Sequence, residues 1–127
     1  MMWNESLLTG HDAIDADHRQ IVDLIDELRR YFLVEDPGES AIAIIDRLVT
    51  YTQIHFAREE GLMASCPDYA NAESHKAGHR NFIDAMNKYV SIYEISGELS
   101  ADMPAFLHRW WVNHINGTDR KFMDFLS

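Results

Sequence analysis

Three prolines, at 37, 67 and 104, divide the chain into long stretches almost free of helix breakers. Proline cannot continue a helix interior but is tolerated in the first turn, so each one marks a boundary. Each also keeps turn- or cap-forming company: Asp36-Pro37-Gly38-Glu39-Ser40, Ser65-Cys66-Pro67-Asp68, and Gly97 through Ser100 ahead of Pro104. The stretches between them run to roughly 20–28 residues, the length of long helices and too long for strands.

Apolar periodicity gives the same reading. Ile14, His18, Ile21, Ile25, Leu28 and Phe32 alternate at spacings of four and three, and so do Ala41, Ile45, Leu48, Thr52, His55, Glu59 and Leu62. A third stripe is Ala72, His75, His79, Phe82, Met86, Tyr89 and Tyr93. The fourth is Met103, Leu107, Trp111 and His114, then Phe122 and Phe125 or Leu126. One stripe per helix, with short connections, predicts an all-α fold: an antiparallel up-down-up-down four-helix bundle. Residues 1–127 are expected to form one domain. An N-terminal arm over about 1–11 is expected to pack on it through Trp3, Leu7 and Leu8. No internal repeat, low-complexity segment or linker interrupts the pattern.

Charge narrows the possible partners. Twenty-one acidic residues against eleven basic ones leave a net charge of −10. Such a surface repels phosphate backbones and anionic lipid, which argues against nucleic-acid and membrane-surface roles. The longest apolar run, Ala41 to Ile45, is far short of a membrane span. The N-terminus has no secretory signal pattern, so a cytoplasmic location is the expectation, with which the lone Cys66 agrees; a monomer is the default expectation for a lone domain of this kind.

The stripes nevertheless carry polar groups where a core should be apolar. His18, His55, Glu59, His75, His79 and His114 fall on interior positions, and every helix contributes at least one. Burying an unpaired ionisable group costs several kcal/mol, so something must neutralise the set. His55 and Glu59 are an i, i+4 pair, and so are His75 and His79; each pair shares a helix face. Two imidazoles one turn apart chelate a metal ion. Asp119 stands five residues after His114, about 140° away on an ideal helix. Either it reaches sideways to a second ion, or Gly117 sits in a widened π turn. His11 and His108 read as surface residues, and Glu60 as facing a groove or water. Asp17 is expected to point away from the stripe, Asp15 to serve the helix N-terminus, and Asp12 to cap it.

Five imidazoles and two carboxylates are too many for one structural zinc, which takes four ligands and favours thiolates. Calcium and magnesium prefer oxygen. Two octahedral first-row ions sharing both carboxylates and a solvent-derived bridge fit the count. One ion is then six-coordinate and the other five-coordinate, with one position open to a small molecule.

The chain resembles the hemerythrin family, in its bacterial single-domain form. The matching elements are Trp3, Ile14-Asp15-Ala16-Asp17-His18, His55-Phe56-Ala57-Arg58-Glu59-Glu60-Gly61-Leu62-Met63, His75-x-x-x-His79, and Trp110-Trp111-Val112-Asn113-His114-Ile115-x-x-x-Asp119. The resemblance spans essentially the whole chain. It implies two iron ions joined by an oxo or hydroxo bridge: His75, His79 and His114 on the six-coordinate iron, His18 and His55 on the five-coordinate one, and Glu59 and Asp119 bridging. It further implies reversible binding of O2 or another small diatomic ligand at the open position. Asp17 stands where the family often has glutamine, and Trp111 where leucine is frequent.

The residues themselves favour a carrier over an oxygenase. Neutral imidazoles stabilise high oxidation states less than carboxylates do, and the Glu-x-x-His motifs of redox di-iron bundles are absent. There is no phosphate loop and no nucleophile–base pair. The competing readings are a redox enzyme that reduces peroxide or nitric oxide or oxidises iron, and a sensor that uses the same site.

Overall fold

The structure, a computed structural model, describes residues 3–33 and 41–126. The described residues form helices α1 (Asp12–Leu33), α2 (Ala41–Ala64), α3 (Ala72–Ser96), α4 (Met103–Asn113) and α5 (Arg120–Leu126). A π-helical turn, His114–Asp119, joins α4 to α5, so the two make one rod and the bundle has four. α1 lies against α2 and α4, and α2 also packs on α3. The expected turn at Pro37 lies outside the described residues. Among the described residues there is no strand, and no helix is long and apolar enough to cross a membrane.

The predicted punctuation acts locally. Pro104 occupies the first turn of α4, where its missing N–H is not needed. Gly97 ends α3 in the left-handed region at φ 76°, returning its N–H to the Tyr93 carbonyl at 2.7 Å. The start of α1 differs from expectation. The capping acceptor there is His11, not Asp12: its Nδ1 receives the Ile14 N–H at 3.3 Å. Asp15 folds the arm back instead of serving only the helix end. Its carboxylate accepts from Thr9 N (2.8 Å), Thr9 Oγ1 (2.7 Å) and Gly10 N (3.1 Å). Gly10 makes this approach at φ 94°, a conformation that a Cβ would strain. Leu7 is buried and Trp3 packs on the core, while Leu8 is exposed. At the other end of the chain, Phe125 and Leu126 are exposed, so the fourth stripe stops at Phe122 and Met123.

The apolar core comes in two parts. The larger cluster includes Ile21, Ile25, Leu28, Ile45, Leu48, Phe82, Met86 and Leu107; the smaller holds Ile14, Met63, Tyr69, Phe122 and Met123. Along each rod the polar stripe positions fall between or beside members of these clusters. A layer of ionisable groups therefore crosses the bundle, walled by hydrocarbon on both sides.

Candidate metal centre

The six polar stripe residues and Asp119 converge in that layer. Two sets of side chains each bring one donor atom within 4.8 Å of all the others in the set. One set is His75, His79, His114, Glu59 and Asp119; the other is His18, His55, Glu59 and Asp119. The carboxylates are common to both. All seven residues are buried, His114 the most exposed at 6%.

The inner nitrogens point at the carboxylates. Asp119 Oδ1 lies 2.9 Å from His75 Nε2 and 3.0 Å from His114 Nε2, while its Oδ2 lies 2.9 Å from His18 Nε2. Asp119 thus presents one oxygen to each set. Glu59 Oε1 stands 3.1 Å from His79 Nε2, 3.5 Å from His75 Nε2 and 3.6 Å from His55 Nε2. Adjacent corners of an octahedron with bonds of about 2.1 Å are about 3.0 Å apart, which matches this spread. Many of the same atoms have no hydrogen bond among the described residues: His18 Nε2, His55 Nε2, His79 Nε2, His114 Nε2, both Glu59 oxygens and Asp119 Oδ2. Buried polar atoms left this way are costly unless a cation answers them, so the donor set fits a metal pair.

The five-residue step to Asp119 is resolved by both devices foreseen for it. Along His114–Asp119 the chain is π-helical, and i→i+5 bonding brings residue 119 back over residue 114 about one turn on. Asp119 also reaches across to the His18 set.

The electrostatics suit a cation. Burial and the neighbouring Asp119 push the Glu59 carboxyl up, but the close approach of His75 and His79 and the charge of His55 leave it below its ordinary 4.5. Burial likewise opposes ionisation of Asp119, yet His114, His18 and His75 hold it well below 3.8. Burial lowers the His75 pKa, but Asp119 and Glu59 outweigh it and raise the group to about 9. His114 goes the other way, because burial prevails over its attraction to Asp119. These shifts favour the anionic form of Glu59 and Asp119 and the cationic form of His75.

The outer edges of two imidazoles are fixed by carboxylates that the sequence placed elsewhere. Asp17 is buried, not turned away. Its Oδ2 accepts from His55 Nδ1 at 2.9 Å and from Arg58 Nε at 2.8 Å, and its Oδ1 accepts from Tyr51 Oη at 3.3 Å. α1 packs against two helices and so buries a wider face than one stripe. Ile14, Asp17, Ile21, Leu24 and Leu28 form a second 3–4 series, and that was the available signal. Glu60 is half-exposed, but its Oε2 accepts from His79 Nδ1 at 2.9 Å; no spacing pointed to this cross-helix contact. Such outer partners fix the tautomer that turns Nε2 to a metal. Ring stacking adds to the orientation: Phe56 lies parallel to His79 at 3.8 Å and Trp110 to His114 at 4.4 Å. His108 is exposed, as expected, and Cys66 belongs to neither set.

A family model described as the hemerythrin HHE cation binding domain matches residues 9–126. The chain belongs to the hemerythrin family. It is 32% identical to a bacteriohemerythrin of Stenotrophomonas maltophilia over 125 residues, covering 98% of this chain and 80% of that one. A Pseudomonas aeruginosa bacteriohemerythrin is 33% identical with the same coverage. A hemerythrin-like protein of Naegleria gruberi is 30% identical, over 94% of this chain and 88% of its own. The crystal structure of a wild-type hemerythrin superposes with a TM-score of 0.86 at 25% identity, covering 98% and 95% of the two chains. The buried His/Glu/Asp cluster, whose donor atoms could hold a metal ion, thus lies in a chain whose family model is described as a cation-binding domain.

Proposed function

We propose that the protein holds two iron ions and uses them to bind O2, or another small diatomic ligand, reversibly rather than to catalyse its consumption. The observation that carries this reading is the unequal sharing: two ligand sets with both carboxylates in common, but three imidazoles in one and two in the other. His75, His79 and His114 would hold the filled ion, His18 and His55 the ion with an open position, and Glu59 and Asp119 would bridge. Imidazole and carboxylate suit iron, whereas the softer thiolate is missing from both sets. When bound, an iron pair supplies two electrons from adjacent centres and one free coordination position.

The chain's own residues do the rest. Glu59 and Asp119 remain anionic although buried, which offsets cation charge without any proton leaving. Asp17 and Glu60 keep His55 and His79 as Nδ1–H tautomers with Nε2 turned inward. Ile14, Phe82, Trp111, Ile115 and Phe122 are all fully enclosed and wall the layer off from water. A dry pocket slows the proton delivery that turns reversible binding into oxidation.

The test is to load the protein with ferrous iron anaerobically, measure iron per chain, add O2, then remove it over several cycles. Two irons per chain and full recovery of the starting spectrum are expected. One-way oxidation in proportion to the O2 added would assign the site to redox turnover and overturn the carrier reading.

A further inference from the structure

Trp111 holds a buried donor with no acceptor. The residue is fully enclosed, and its Nε1–H makes no hydrogen bond to any described protein atom. Leaving such a donor unanswered is costly, and indoles normally find a partner when buried.

Its surroundings restrict what the partner is. The Trp111 ring lies 5.9 Å from His55, 6.1 Å from His18 and 5.9 Å from His114, centroid to centroid. Its other ring neighbours, Phe56, Phe82 and Trp110, have no acceptor to offer a side-chain donor. The three imidazoles cannot accept either. With Nε2 turned to a metal, each keeps only Nδ1–H, which is itself a donor, and His55 already gives its own to Asp17. None of the rings around Trp111 therefore supplies the acceptor, and a ligand brought into the site can. Trp111 lies against both imidazoles of the two-histidine set, the side with the open position.

Resting on the di-iron reading above, we propose that the Trp111 indole N–H donates a hydrogen bond to the small ligand held at the open position beside His18 and His55. The ligand class this selects is a small molecule or anion that keeps a lone pair on an atom not bound to metal. Trp111 is then a specificity and retention residue: ligands with such an acceptor are held longer than those without.

Azide bound to the di-ferric protein is the probe. In wild type, the vibration of bound azide is expected to shift between H2O and D2O, and the indole N–H marker in the ultraviolet Raman spectrum to change on azide addition. Trp111→Phe removes the donor and keeps an aromatic ring; it should abolish the isotope shift and speed azide dissociation about tenfold, the factor for one hydrogen bond of about 1.4 kcal/mol. The wild-type measurements stand alone if the variant folds poorly. No isotope shift and no indole change in wild type would overturn the proposal, even with faster dissociation from Trp111→Phe, since Trp111 would then act by bulk alone. Azide bound with unchanged kinetics in a folded Trp111→Phe would overturn it as well, leaving the di-iron reading intact. Wild type that loads two irons yet takes up no azide overturns both the donor role and the open position, and failure to load two irons sinks the di-iron reading itself.

Discussion

Asp17 offers the sharpest test of how the site is built, because it touches one imidazole of one ligand set. Truncation to alanine leaves His55 Nδ1–H buried without an acceptor, a loss of about 1–3 kcal/mol. Arg58 is 46% exposed and returns to water, so its lost ion pair adds little. At roughly 3–5 °C per kcal/mol for a chain of this size, Asp17→Ala should lower Tm by about 3–15 °C. Asp17→Asn keeps a carbonyl acceptor but not the charge, and should cost about half as much. The effect on metal should be local. Loss of an outer carboxylate typically weakens affinity about 10–100-fold, and here the loss should fall on the His18/His55 position alone, since Asp17 has no contact with His75, His79 or His114. The assay is anaerobic Fe(II) titration against a competing chelator, resolving two binding steps per chain. Only the weaker step should move, and further for alanine than for asparagine. The pH dependence has a defined sign. Burial raises the Asp17 pKa, but His55, Arg58 and Tyr51 bring it below its ordinary 3.8. The wild-type advantage is therefore complete above about pH 4 and fades only on acidification below it. Equal weakening of both steps, or unchanged binding and Tm in the alanine variant, would refute the assignment of Asp17 to His55.

The remaining expectations concern the metal, the protons and the arm. Chelation should lower Tm by more than about 15 °C by calorimetry, since each ion at a thousandfold excess over its Kd contributes about 4 kcal/mol. Loading metal at neutral pH should release the His75 proton, detectable with an indicator dye in weak buffer. Because that pKa is raised, to about 9, protons compete with metal below it, and affinity should climb about tenfold per pH unit up to that value. Asp15→Ala, which frees Thr9 and Gly10 of the arm, should cost about 1–3 kcal/mol in urea unfolding while leaving iron per chain unchanged.

What the sequence disclosed and what it hid divide along a physical line. The bundle was legible because the 3–4 repeat and the prolines at 67 and 104 act within one helix or one turn. The five imidazoles and Glu59 were legible for the same reason: each occupies a position in its own helix's stripe, and polarity there is an anomaly visible without knowing the neighbour. Asp17 and Glu60 were hidden because their meaning is set across helices. An acid beside a stripe looks like any solvated acid until the packing of α1 on α2 brings Asp17 to His55, or α2 on α3 brings Glu60 to His79.

That division also explains why Asp119 sits where it does. A residue five along from His114 belongs to another face of an α-helix, and the sequence alone left two accounts of it open. In the structure the widened turn returns it to the His114 face, while its second oxygen lies against His18 on the first helix. Neither device suffices alone. Without the π turn the carboxylate misses His75 and His114; without the reach to His18 the two ligand sets share Glu59 only. A bridging carboxylate must satisfy donors on three helices at once, and the irregular backbone of His114–Asp119 is the means by which a straight rod does so. On the di-iron proposal this irregular turn is tied to the metal, and it should loosen first when metal is withdrawn, with faster amide exchange at 114–119 than along α1.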